Sequence, residues 1–178
     1  MQNKFVLPLK ELSPHFGGDI KGIDVRQIGT SVPLEPIKDA LFCHQLLCFR
    51  DQNLEPSDLS NFTSLFGEPL PHVLQQFSLT GHPEIYVLSN IVENGAPIGN
   101  TREGFGWHTD LAYMARPAAY TILYGIEVPK RGGDTHFASF YGMWDSLEET
   151  TKSKLRKMQG RYSYIHLYGQ RTDVEPLT

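Results

Sequence analysis

Cysteine is scarce in this chain. The 178 residues hold two, Cys43 and Cys48, too few for a disulfide scaffold and spaced like no zinc knuckle. Both stand among Leu and Phe, which predicts buried, reduced thiols in a cytoplasmic protein. Long apolar runs are also missing. No stretch approaches the roughly 18–20 apolar residues of a transmembrane helix, and the start, MQNKFVLPLKEL, lacks an apolar core of signal-peptide length. A membrane span and export are therefore not expected. Basic charge is in short supply: 16 Lys+Arg against 20 Asp+Glu leave a net charge of −4, which argues against a nucleic-acid partner. The single basic cluster, Lys152, Lys154, Arg156 and Lys157, stands beside Glu148 and Glu149 and reads as a solvated helix face. There is no repeat, low-complexity tract or linker, and nothing like H-E-x-x-H or a Cys/His zinc set.

What remains is ordinary globular composition, 40% hydrophobic and 11% aromatic, enough for one domain over residues 1–178 with a core of its own. Short strands joined by Gly turns are predicted in FVLPL, FGGDIKGIDV and IGTS. Pro33 to His44 reads as a helix with Leu34, Ile37, Leu41 and Phe42 on its apolar stripe. LLCFR at 46–50 reads as a buried strand. A second helix is expected at 56–66, capped by Ser57, with Leu59, Phe62, Leu65 and Phe66 inward. EIYVLSN from Glu84 reads as a strand, and Glu93 to Gly106 as a long polar loop. Further strands are predicted at AAYTILYGIEV (118–128), THFAS (135–139) and RYSYIHLY (161–168). One helix is predicted from Ser139 to Met158, with Trp144, Leu147, Leu155 and Met158 apolar. The expectation is a mixed α+β domain.

The most informative segment is Trp107-His108-Thr109-Asp110. On extended backbone, residues i and i+2 point to the same face, so His108 and Asp110 can offer an imidazole and a carboxylate to one point. Those are two of the three ligands of the facial triad that holds non-haem Fe(II) with open positions. By itself H-x-D is common, and a surface histidine beside an aspartate is the plain alternative.

With its surroundings, the chain resembles the taurine catabolism dioxygenase (TauD/TfdA) family of Fe(II)- and 2-oxoglutarate-dependent oxygenases. The matching stretches are FGGDIKGIDV, LLCFRDQ, FTSLFGEPLPH, WHTD at 107–110, AAYTILYGIEVP and GGDT at 132–135. The resemblance implies a double-stranded β-helix (jelly-roll, cupin-like) core with flanking helices. It implies iron ligation by His108 and Asp110, and a hydrogen bond from Thr135 to a carboxylate of the co-substrate 2-oxoglutarate, a role that suits a hydroxyl donor. The implied reaction takes O2 and 2-oxoglutarate, releases succinate and CO2, and hydroxylates an unactivated C–H bond of a small organic acid. His72 falls where family members place a substrate-contacting histidine, although a structural histidine ending a loop fits as well. Gly104 stands where taurine-processing members carry Asn, which argues against a taurine-type sulfonate. Phe105, Trp107 and Tyr113 would make the surroundings aromatic, with a core role open for Trp107.

The family pattern also requires a distal His as third ligand and, shortly after it, an Arg to pair with the far carboxylate of 2-oxoglutarate. Neither has a clear match. His136 follows Thr135 directly and would point to the opposite face of a strand. His166 with Arg171 is a weak candidate pair, with spacing unlike the family's. The C-terminal strands are therefore expected to be lacking, and this chain is expected to be the N-terminal portion of a longer domain. The alternative is a non-catalytic jelly-roll fragment that binds or assembles with other chains, a homo-oligomer among the options.

Overall fold

The computed structural model describes residues 5–101 and 106–163, and these group into two compact units, residues 5–68 with 136–147, and residues 69–101 and 106–135 with 148–163. In the first unit, β1 (Leu9–Glu11) pairs antiparallel with β2 (Gly18–Ile20), which pairs parallel with β3 (Leu47–Phe49). A parallel pair needs a long crossover, and the chain between β2 and β3 supplies it with α1 (Glu35–His44). Pro36 fits the first turn of α1, where its missing N–H costs nothing. Gln45 ends the helix in the left-handed region at φ 64°, its N–H donating to Leu41 O. Ile20 and Ile37 are fully buried, with Ile23, Val25, Ile28, Val32 and Phe62 beside them as this unit's core.

Gln52 ties the crossover to the strand. Its Oε1 accepts from Val25 N (3.0 Å), and its Nε2 donates to Ile23 O (2.9 Å) and Arg50 O (2.6 Å). The LLCFRDQ stretch is thus a structural clamp. Next comes α2 (Pro56–Ser64), where Glu55 and Asp58 form a reciprocal capping box. Ser57 does not cap it, because Pro56 already opens the first turn. Phe62 packs edge-on against Phe49 and Phe66. Burial differs from expectation at Phe42, Cys43 and Cys48. Phe42 is 85% exposed, on the outer side of α1. Cys43 is exposed and Cys48 half-buried, both as thiols. The unit also holds α3 (Phe140–Ser146), capped by Ser139, whose Oγ accepts from Gly142 N and donates to Gln45 Oε1 at 2.6 Å.

In the second unit, β4 (Ser78–Leu79) pairs antiparallel with β5 (His82–Tyr86). The stretch expected to be a loop contains a hairpin, β6 (Val92–Glu93) and β7 (Ala96–Pro97), turned by Asn94 and Gly95 at φ 50° and 82°. The second unit also contains α4 (Glu149–Leu155). The helix expected at 139–158 is therefore two short helices. Leu147 takes an extended conformation (ψ 143°), and Glu148 becomes the N-cap of α4. The strands expected at 118–128 and 135–139 are irregular chain. A strand needs a neighbour for its N–H and C=O groups, and none of the named strands runs beside these segments. Residues 161–163 are irregular too; the rest of the expected last strand, with His166 and Arg171, lies outside the described residues.

Candidate metal centre

His108 and Asp110 lie in irregular backbone between two left-handed residues, Gly106 (φ 79°) and Leu111 (φ 53°). Glycine takes such a φ without strain, whereas for leucine it costs roughly 1–2 kcal/mol. The resulting bend, rather than a strand, sets the two side chains face to face. His108 Nε2 lies 3.4 Å from Asp110 Oδ1, with both side chains about half exposed (54% and 45%). His108 Nδ1 is 3.0 Å from Gly106 O. A carbonyl can only accept, so the Nδ1 proton is the donor there. Neutral imidazole then carries its lone pair on Nε2.

That lone pair faces a carboxylate oxygen, and two acceptors held in this way call for a cation between them, either a proton or a metal ion. Two bonds of about 2.1 Å reaching donor atoms 3.4 Å apart meet at roughly 110°, an angle open to a first-row divalent ion. The far oxygen of the same carboxylate is also held: Thr121 Oγ1 donates to Asp110 Oδ2 at 2.6 Å. Outer partners on both the imidazole and the carboxylate are the usual support of a metal ligand pair. The nitrogen-plus-oxygen donor set fits a divalent metal. Among the described residues no group of three or more His, Cys, Asp and Glu comes together, so the pair supplies two ligands and not a complete set.

Thr135 follows the Gly132-Gly133 turn on exposed, irregular chain, and among the described residues its hydroxyl makes no hydrogen bond. His136 is exposed on the same irregular stretch. His72 is half-buried, stacked on Tyr86. Gly104 and Phe105 lie outside the described residues. Trp107 is exposed and does not pack in the core. Two contributors escaped the sequence reading, the Gly106 carbonyl and the Thr121 hydroxyl. A glycine two residues before a histidine is a weak signal, and a threonine in an apolar run looks like any β-branched residue.

The profile of the taurine catabolism dioxygenase TauD, TfdA family matches residues 8–177. An alkylsulfatase of Acinetobacter baylyi is 30% identical over 172 residues, covering 96% of this chain and 51% of that protein. A pentalenolactone F synthase of Streptomyces avermitilis is 32% identical over 152 residues, covering 83% and 49%. The chain spans about half the length of the curated relatives it matches. Among solved structures, a protein assigned as an alpha-ketoglutarate-dependent taurine dioxygenase from Burkholderia xenovorans superposes with a TM-score of 0.73 at 28% identity, over 89% of this chain and 55% of that one. The structure of AAD-2 in complex with Mn(II) and N-oxalylglycine shares the fold, with a TM-score of 0.64 at 21% identity over 97% and 58%. With a profile match over nearly its whole length and a relative at 30% identity covering almost all of it, this chain belongs to the taurine catabolism dioxygenase TauD, TfdA family.

Proposed function

We propose that this chain is the ligand-bearing N-terminal portion of an Fe(II)- and 2-oxoglutarate-dependent dioxygenase acting on a small organic acid. The observation that carries the reading is the facing pair, His108 Nε2 and Asp110 Oδ1 at 3.4 Å, each backed by its own partner. In this reading the two side chains hold Fe(II), and Gly106 and Thr121 fix their orientation. The Thr135 hydroxyl donates to a carboxylate of 2-oxoglutarate, and His72, Gly104 and Phe105 border the substrate. Oxidation of an unactivated C–H bond with O2, coupled to decarboxylation of 2-oxoglutarate to succinate and CO2, is the chemistry that Fe(II) supplies when bound. The protein's own part is ligand geometry, orientation of the acids and shelter from water. The alkylsulfatase relative makes an alkyl sulfate the first substrate to try.

The fold in this reading is a double-stranded β-helix with flanking helices. The exposed side chains of Leu123, Ile126 and Val128, on the irregular chain of residues 118–128, are apolar surface that neighbouring strands would cover. Cys43 and Cys48 as thiols suit a reducing, cytoplasmic setting.

Anaerobic titration with Fe(II) and 2-oxoglutarate tests the function. The wild-type chain is expected to develop a weak visible charge-transfer band, and His108→Ala and Asp110→Asn to develop none. Admission of O2 should then release little or no succinate, because two ligands and not a complete set converge among the described residues. No band from the folded wild-type chain would overturn the assignment. A second reading, a non-catalytic module, is favoured by one observation: two ligands, not three, converge among the described residues. Stoichiometric iron in a monomer would contradict it.

A further inference from the structure

Within the second unit, a set of contacts outside the metal pair converges on His72. The backbone N–H of Leu74 lies 3.1 Å from His72 Nδ1. An N–H can only donate, so Nδ1 keeps its lone pair and the proton of the neutral ring sits on Nε2. This is the opposite tautomer to that of His108. The ring lies on Tyr86, with centroids 3.7 Å apart and planes 26° from parallel. Phe77 meets the Tyr86 ring edge-on at 6.2 Å, and Asn100 Nδ2 donates to Tyr86 Oη at 2.6 Å.

Asn100 is the buried polar residue of the cluster, 5% exposed. Its backbone is locked to the chain just after Tyr86: Asn100 N donates to Val87 O (2.9 Å) and Ser89 N donates to Asn100 O (3.2 Å). Gly99 permits this approach, because a Cβ there would stand 2.6 Å from Val87 O. A rigid backbone bridge thus fixes an amide, the amide fixes a phenol, and the phenol ring supports an imidazole.

We propose that Tyr86 and Asn100 are positioning residues that hold His72 as a neutral donor with its proton on Nε2. This rests on the reading of His72 as a substrate contact. Under that reading, the fold sets the orientation and tautomer of the ring before any substrate arrives.

The test uses the full 178-residue chain, isotope-labelled and without metal. The readouts are the trans-hydrogen-bond nitrogen–nitrogen coupling between the Leu74 amide and His72 Nδ1, and hydrogen exchange of the Leu74 amide. Wild type should show the coupling. Tyr86→Leu should lose it and exchange Leu74 faster by roughly two- to tenfold, the factor that an aromatic pair supplies. Tyr86→Phe, which keeps the ring and loses the Asn100 bond, should fall between the two. Unchanged coupling and exchange in Tyr86→Leu would overturn the proposal, and a Tyr86→Phe chain identical to wild type would overturn the part given to Asn100. Should Tyr86→Leu fail to fold, Tyr86→Met, which also removes the ring, takes its place with the same exchange readout and the same overturning result. Because no metal is needed, this result is separable from failure of the oxygenase assignment, which would appear only as missing iron and 2-oxoglutarate binding.

Discussion

At Asp110, orientation is governed by a single hydroxyl. Thr121 holds Oδ2 at 2.6 Å and leaves Oδ1 turned toward His108. Loss of an outer partner of this kind costs about 10–100-fold in metal affinity. Thr121→Val should therefore weaken Mn(II) binding by that factor in calorimetry, and Thr121→Ser should restore it, since serine keeps the donor. Equal affinity for the valine variant would leave the hydroxyl without a role. The residues of the pair were legible from their i, i+2 spacing, but for a reason that holds only in part. The backbone between them is a bend bracketed by left-handed residues at 106 and 111, not a strand. Partners such as Thr121 were illegible because no local pattern tells a threonine which distant carboxylate it will meet. Apolar neighbours in sequence do not bury Cys43: a helix has an outer side, and Phe42 and Cys43 lie on it.

Among the elements, α1, β3 and α2 were legible because each carries its own local signal: apolar spacing in the two helices and an unbroken apolar run in the strand. The hairpin at 92–97 was missed although Asn94-Gly95 is among the strongest hairpin signals; the polar residues around it read as loop. The helix expected at 139–158 breaks at Leu147 although its apolar spacing runs across that residue, because spacing alone does not show a second N-cap.

Two substitutions probe these elements. Ile37, fully buried on α1, should lose about 2–5 kcal/mol on change to Ala, seen as a lower urea midpoint. Gly99→Ala must push Val87 O away from 2.6 Å and should cost about 1–3 kcal/mol, with faster amide exchange at Ser89 and Asn100. In α4, the hydrogen bond from Arg156 holds the Glu149 carboxyl below its ordinary 4.5. A lowered folded-state value means support present at neutral pH and lost as the pH falls below that range. The small helicity difference between wild type and Arg156→Ala should accordingly vanish on acidification, as followed by circular dichroism. A difference that grew in acid would have the wrong sign.

For the whole molecule, Leu123, Ile126 and Val128 lie within six residues of one another, all largely exposed. Composition could not show this, because apolar content is the same whether or not a neighbour covers it. An apolar ribbon of this kind favours association. Sedimentation velocity should show wild-type chains associating as concentration rises, and Ile126→Lys with Val128→Lys remaining monomeric; identical behaviour of both would remove the ribbon from the account. The family was legible where the late strands were not, since the ordered motifs are local while a strand exists only beside another.

The most direct measurement of the central claim is equilibrium Mn(II) binding, followed by loss of the free-ion electron paramagnetic resonance signal. A single site is predicted in the wild-type chain, weakened at least about tenfold by His108→Ala and by Asp110→Asn and unchanged by His136→Ala. Equal affinity in all four proteins would contradict it.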